Sequence, residues 1–213
     1  MADPFRAGPP LARELFARED ETADGLFYRE PRFALHIDDA TIAALTQLYR
    51  EELPPGGRLL DLMSSWVSHL PGEVRYAHVA GLGMNAAELD ANPRLDERRV
   101  QDLNREPALP WPDAGFDAVL CAVSVQYLVR PVEVFKEVAR VLRDAGKVLV
   151  ATSHRLFPTK AIAAWRSLPA DARLRLVGEY LAEARGFRQA RVVDRSPAGA
   201  DPLWVVVAER APR

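Results

Sequence analysis

The chain has 213 residues, of which 48% are hydrophobic and 27% charged, and a formal net charge of −2. That length suggests one domain with a sizeable core, and the charge gives no electrostatic footprint for nucleic acid or a membrane surface. The single cysteine, Cys121, excludes an internal disulfide and a multi-cysteine zinc site, and the four histidines lack the spacing of metal ligands.

Residues 1–36 read as an N-terminal arm or lid, punctuated by Pro9-Pro10, with a short amphipathic helix over 11–18. Asp3, Arg6 and three prolines in the first ten residues do not read as a secretory leader. No apolar run approaches the roughly 20 residues that span a bilayer. With one cysteine, a reducing cytoplasm is the expected compartment. Residues 37–213 read as a single domain. Asp38 or Asp39 is the expected N-cap of a helix carrying Ile42, Leu45, Leu48 and Tyr49 on one face, ended by Pro54-Pro55-Gly56-Gly57.

From there strands and helices alternate. Strands are expected over 58–62, 76–82, 98–103, 116–123 and 147–152. Helices are expected over 85–91 and 132–142, and a helix or loop over 64–70 ending at Pro71-Gly72. Two more helices follow over 158–168 and 171–185, with Gly186 as the C′ residue of the second. The last strands, 189–194 and 203–209, are joined through Ser196-Pro197-Ala198-Gly199 as a hairpin-like end. Such alternation predicts an α/β fold with a mostly parallel sheet covered by helices on both faces.

Ligands of an open parallel sheet bind beyond the carboxyl ends of the strands. Those ends fall after Leu62, after Leu82, around Asp102, after Val123 and after Thr152. After Leu62, Ser64 and Ser65 at a helix start would offer main-chain N–H groups and hydroxyls to an anionic carboxylate. Read plainly, the same residues are a strand end with a serine cap.

Three segments narrow the choice. They are Leu109-Pro110-Trp111, then Phe116-Asp117-Ala118-Val119, then Arg140-Val141-Leu142-Arg143-Asp144-Ala145-Gly146 before the fifth strand. In them the chain resembles the class I S-adenosylmethionine-dependent methyltransferases of the methyltransferase type 11 kind. That resemblance implies a Rossmann-like, seven-stranded sheet, S-adenosylmethionine as cofactor, and methyl transfer to an unidentified small molecule.

Carried over residue by residue, the resemblance puts Asp61 at the family's first acidic position. It puts Met63, Ser65 and Val67 where the family has a Gly-x-Gly-x-Gly turn. Met63 and Val67 are then expected to keep ordinary backbone angles or to displace the cofactor. Gly83 falls where an acid usually holds the ribose, so Asn85 or Glu88 would substitute, and an aspartate restored at position 83 is expected to bind the cofactor no worse, provided Asn85 does not already fill that role. Asp102 falls near the adenine amine, with Leu103 beside it. The implied cofactor set is Asp61, Met63, Ser64, Ser65, Gly83, Met84, Asn85, Asp102, Leu103 and Ser124.

Substrate contacts are expected from Tyr28, Arg32 and His36 on the arm and from Gln126, Tyr127, His154 and Arg155 beyond the fourth and fifth strands. His154 is the leading candidate base and Tyr127 the second. Lys160 reads as a solvated charge and His69 as a carbonyl cap. Two other readings stay open. A protein that has lost the glycines could keep the fold for binding alone. Gly81-Leu82-Gly83-Met84-Asn85-Ala86, with Asp102 downstream, also matches a dinucleotide-binding fingerprint and would make the chain a nicotinamide-dependent oxidoreductase.

Overall fold

A computed structural model describes residues 11–213. After a short α1 (Asp24–Phe27), the first long helix is α2 (Asp39–Glu52). It begins where Asp38 accepts a hydrogen bond from the Thr41 N–H, an ordinary N-cap. Its apolar face, Leu45, Leu48 and Tyr49, is buried.

The strands are β1 (Arg58–Leu62), β2 (His78–Gly83), β3 (Glu97–Val100), β4 (Phe116–Ala122), β5 (Leu142–Thr152), β6 (Arg191–Asp194) and β7 (Trp204–Glu209). They form one seven-stranded sheet in the order β3-β2-β1-β4-β5-β7-β6. All neighbours pair parallel except β7, which runs antiparallel to both β5 and β6. The central strands β1 and β4, and β5 from Val148 onward, are nearly continuous apolar runs because both of their faces are covered.

The remaining helices are α3 (Ala86–Ala91), α4 (Pro131–Val141), α5 (Ala163–Ser167) and α6 (Ala170–Ala184). One core layer joins the sheet to α4 and α6 through Phe135, Val138, Val177, Tyr180 and Leu181. The other joins it to α2 through Leu45, Leu48 and Tyr49. Strand order reverses between β1 and β4, so the crevice beyond those strands is where a ligand site belongs.

Three expected elements differ. No helix forms between β1 and β2, the helix expected from residue 158 is only α5, and the arm carries a 3-10 turn over Arg13–Phe16 in place of a longer helix. The part of the arm before residue 11 lies outside the described residues.

Candidate functional site

A cavity of about 330 Å³ lies beyond the carboxyl ends of β1, β2 and β4. Its floor starts at β1. Asp61 is buried, and one of its carboxyl oxygens accepts hydrogen bonds from the Ser64 and Ser68 hydroxyls, each at 2.6 Å. Burial pushes this carboxyl up to about 6 against the pull of those donors. The Ser64 N–H donates to the Leu82 carbonyl at 2.7 Å. These three bonds fold the chain back over β2 immediately after β1. They consume the groups that would have opened a helix, so no helix terminus exists here to receive an anion. Met63, expected to keep ordinary angles, instead takes φ 58°, the left-handed conformation that glycine adopts without strain.

At the end of β2, Gly83 has no room for a side chain. A Cβ there would lie 2.2 Å from the Ser64 carbonyl oxygen and 3.1 Å from Leu89 Cδ2. The expectation that an aspartate would be tolerated at 83 is therefore overturned: a main-chain oxygen fills the space. Gly81 is filled in the same way, with Leu95 Cδ1 at 2.4 Å from the Cβ it lacks. Both glycines serve close packing within and at the end of a strand. The dinucleotide fingerprint therefore has no phosphate turn behind it.

Asn85 caps α3, its Oδ1 accepting from the Glu88 N–H, while its Nδ2 donates to the Tyr28 and Arg29 carbonyls. Both of its amide protons are spent, and one acceptor site remains on Oδ1. Glu88 faces the cavity, with one carboxylate oxygen accepting from the Arg32 N–H at 2.7 Å and the other from the Ser65 hydroxyl at 2.6 Å. Gln101, Asp102, Leu103 and Asn104 continue the wall beyond β3, and Asp102 accepts from the Asn104 N–H.

The arm closes the other side. It is fastened by main-chain bonds from the Asp20 N–H to the Thr159 carbonyl (2.9 Å) and from the Ala163 N–H to the Ala17 carbonyl (2.7 Å). Lys160, expected in solvent, is 1% exposed and pairs with Asp20 at 3.1 Å and Asp24 at 3.2 Å. Both carboxylate oxygens of Asp24 also accept from Arg18 Nη1, at 2.7 and 2.9 Å, and one of them accepts from Asn104 Nδ2. The arm then presents Tyr28, Arg32, Ala34, Leu35, His36 and Ile37 to the cavity. Trp66 donates to the Ala34 carbonyl and meets Phe33 edge to face.

Residues 64–150 match the family model described as a methyltransferase domain. An S-adenosylmethionine dependent methyltransferase from Mesorhizobium loti superposes with a TM-score of 0.57 at 17% identity, over 79% of this chain and 98% of that one. This is a class I methyltransferase fold. A methyltransferase-fold neighbour with a different reaction is the cyclase SpnF, with a TM-score of 0.58 at 18% identity, covering 79% and 81% of the two chains. The geranyl diphosphate C-methyltransferase of Streptomyces coelicolor, solved with S-adenosyl-L-homocysteine, gives 0.52 at 14% identity over 79% and 77%. No curated protein matches the chain.

Within this methyltransferase fold the residues singled out from sequence divide clearly. Asp61, Met63, Ser64, Ser65, Gly83, Met84, Asn85, Asp102, Leu103 and Ser124 all line the cavity, as do Tyr28, Arg32, His36, Tyr127 and Arg155. His154 does not: it is 53% exposed and its Nε2 lies 3.0 Å from Asp201, turned away from the site. Gln126 is buried beneath the wall, donating to the Val123 and Arg155 carbonyls. Tyr127 lines the cavity, but its hydroxyl accepts from the Phe157 N–H and burial raises its pKa, which removes it as a base.

Asp24, Trp66 and Phe157 are cavity residues not assigned to the site from sequence, and His69, expected as a carbonyl cap, lines the cavity as well. The one sequence signal for His69 and Phe157 is their position shortly after β1 and β5. His69 is pushed down to about 4, chiefly by burial and then by the neighbouring His36, and burial also lowers His36. Val123, at the end of β4, takes φ 49°, an unusual state for a β-branched residue in the wall of a site.

Proposed function

We propose that the chain is an S-adenosylmethionine-dependent methyltransferase acting on a small molecule in the cytoplasm, with the arm as the lid of its site. No helix among the described residues is long and apolar enough to cross a membrane. The observation that carries this reading is the state of the cavity acids. Asp24 is held by Arg18, Lys160 and Asn104, and Asp61 is buried at the end of β1 with two serines on one oxygen, whereas Glu88 stands on α3, directly after β2. Glu88 has one donor on each oxygen. A carboxylate offers about four acceptor sites, so Glu88 keeps capacity for two further donors. That matches the pair of hydroxyls on a ribose. Gly83 cannot supply this contact for want of space, and Asn85, with both amide protons spent, keeps one acceptor site on Oδ1 against the two of Glu88, so the ribose acid of this chain is Glu88. Asp102 and Leu103 would take the adenine. Met63, Ser64, Ser65, Met84 and Ser124 line the adjoining floor and wall.

When bound, S-adenosylmethionine supplies a sulfonium methyl group for in-line transfer, with a neutral thioether departing. The chain contributes position and exclusion of water. A proton on the acceptor can pass to His36 or His69, both neutral and both in the wall. A base works best with a pKa near the operating pH, and His69 sits too low at about 4. His36 is therefore the candidate base in place of His154.

Calorimetric titration with S-adenosylhomocysteine tests the reading. Binding is expected in the wild type, with a loss of roughly tenfold or more in Glu88→Gln, since a hydrogen bond to a charged group is worth about 1.5–3 kcal/mol. A flat wild-type titration would overturn the cofactor assignment. A second reading, a methyltransferase-fold protein that binds without transferring, is favoured by the missing helix after β1 and the altered glycine turn. Homocysteine-product binding with no consumption of labelled S-adenosylmethionine across an acceptor panel would select it.

A further inference from the structure

We infer that Arg32 is a receptor for a ligand carboxylate in the roof of the cavity. Its position is fixed at three points. The main-chain N–H is on Glu88, Nη2 donates to the Phe27 carbonyl at 2.8 Å, and the guanidinium lies over the rings of Phe27 at 4.5 Å, Phe157 at 5.5 Å and Tyr28 at 5.8 Å. Two of those rings are themselves set by edge-to-face contacts of Phe27 with Tyr28 and Phe157, so the box is rigid. Yet Nη1 is buried and has no hydrogen-bond partner among the described residues. A buried donor on a charged group without an acceptor is costly, and stacking on rings supplies no acceptor for its N–H bonds.

Three other cations that brace or line the cavity are paired. Arg18 and Lys160 share Asp24, and Arg155 lies on Asp201 at 3.0 Å. Glu88 keeps acceptor capacity, but neither it nor any other acid of the wall forms an ion pair with Arg32 among the described residues. The acceptor for Nη1 must therefore come with a ligand. One free guanidinium nitrogen and aromatic surroundings suit a single negative charge, a carboxylate, over a phosphate.

Two molecules can bring that carboxylate: the amino-acid end of the proposed cofactor, or the methyl acceptor. The first source rests on the function proposed above; the second does not. Wild type and Arg32→Gln are titrated with S-adenosylhomocysteine, with methylthioadenosine, which keeps the nucleoside but lacks the amino-acid end, and with benzoate, alone and beside saturating S-adenosylhomocysteine. If the cofactor is the source, wild type prefers S-adenosylhomocysteine over methylthioadenosine by about tenfold or more, and Arg32→Gln erases the preference. If the acceptor is the source, Arg32→Gln leaves S-adenosylhomocysteine binding intact and abolishes benzoate binding. Arg32→Lys keeps the charge and should retain part of the lost affinity, and it replaces Arg32→Gln as the test variant if the latter does not fold. Equal affinities in the wild type and a folded variant for all three probes would overturn the inference. Benzoate binding that needs Arg32 in a protein blind to S-adenosylhomocysteine would uphold it while refuting the cofactor reading.

Discussion

Gly83→Ala probes the folded-back turn after β1, and its effect can be worked from distances. The new Cβ would start 2.2 Å from the Ser64 carbonyl oxygen, so that oxygen must retreat by about 1 Å to reach ordinary contact. Ser64 cannot move freely. Its N–H is on the Leu82 carbonyl at 2.7 Å and its hydroxyl on buried Asp61 at 2.6 Å. Overpacking alone costs about 1–3 kcal/mol, and loosening a hydrogen bond to a buried polar group about 1–3 kcal/mol. A total near 3 kcal/mol corresponds to a fall in Tm of roughly 6–12 °C for a chain of this size. Scanning calorimetry with urea unfolding measures it. Gly25→Ala is the control, since nothing lies within 4 Å of its missing Cβ. A Tm within about 2 °C of wild type, or Gly83→Asp binding S-adenosylhomocysteine as well as wild type, would refute the close approach of Ser64 to β2.

Lys160→Met removes a buried cation from between Asp20 and Asp24. Breaking a buried pair from one side costs about 3–5 kcal/mol, so urea unfolding should show a loss near 3 kcal/mol, and limited proteolysis should cut the arm faster. The pH dependence has two opposed parts. Asp61 holds its proton more tightly folded, at about 6, than unfolded. Relative to Asp61→Asn, wild type should therefore lose stability as pH rises from about 4 to about 6. His69 is pushed down to about 4 from 6.5, so relative to His69→Gln, wild type should lose stability as pH falls through that window. Denaturant midpoints across pH 4 to 7 measure both, and parallel curves for wild type and either variant would contradict the burial of that group.

Where signals were local, the sequence could be read closely. Asp38 and the Ile42, Leu45, Leu48, Tyr49 spacing placed α2, and the apolar runs placed β1, β4 and β5, because a cap and a buried face are properties of adjacent residues. The strand order followed only through the family resemblance. The cavity wall was largely legible for the same reason: strand ends lie at one edge of a parallel sheet wherever the strands are. What escaped depended on partners far along the chain. His154 sits at a strand end, but Asp201 draws it outward. Lys160 looks like any surface lysine until Asp20 and Asp24 arrive from the arm. Ser64-Ser65 looks like a helix start until Asp61 and the Leu82 carbonyl claim the first serine. His69 carries no motif, and only its distance from β1 hints that it reaches the site.

Asp24 belongs at once to the cavity wall and to the anchor of the arm, with Asn104 linking it to the loop beyond β3. Anything that settles against that loop must alter the electrostatic field in which Arg18 and Lys160 hold the residues of the arm. Reciprocity of coupled equilibria then requires that trimming or loosening those residues change the affinity of the occupant by the same factor. Occupancy and the docking of the arm are in this protein two readings of one free energy.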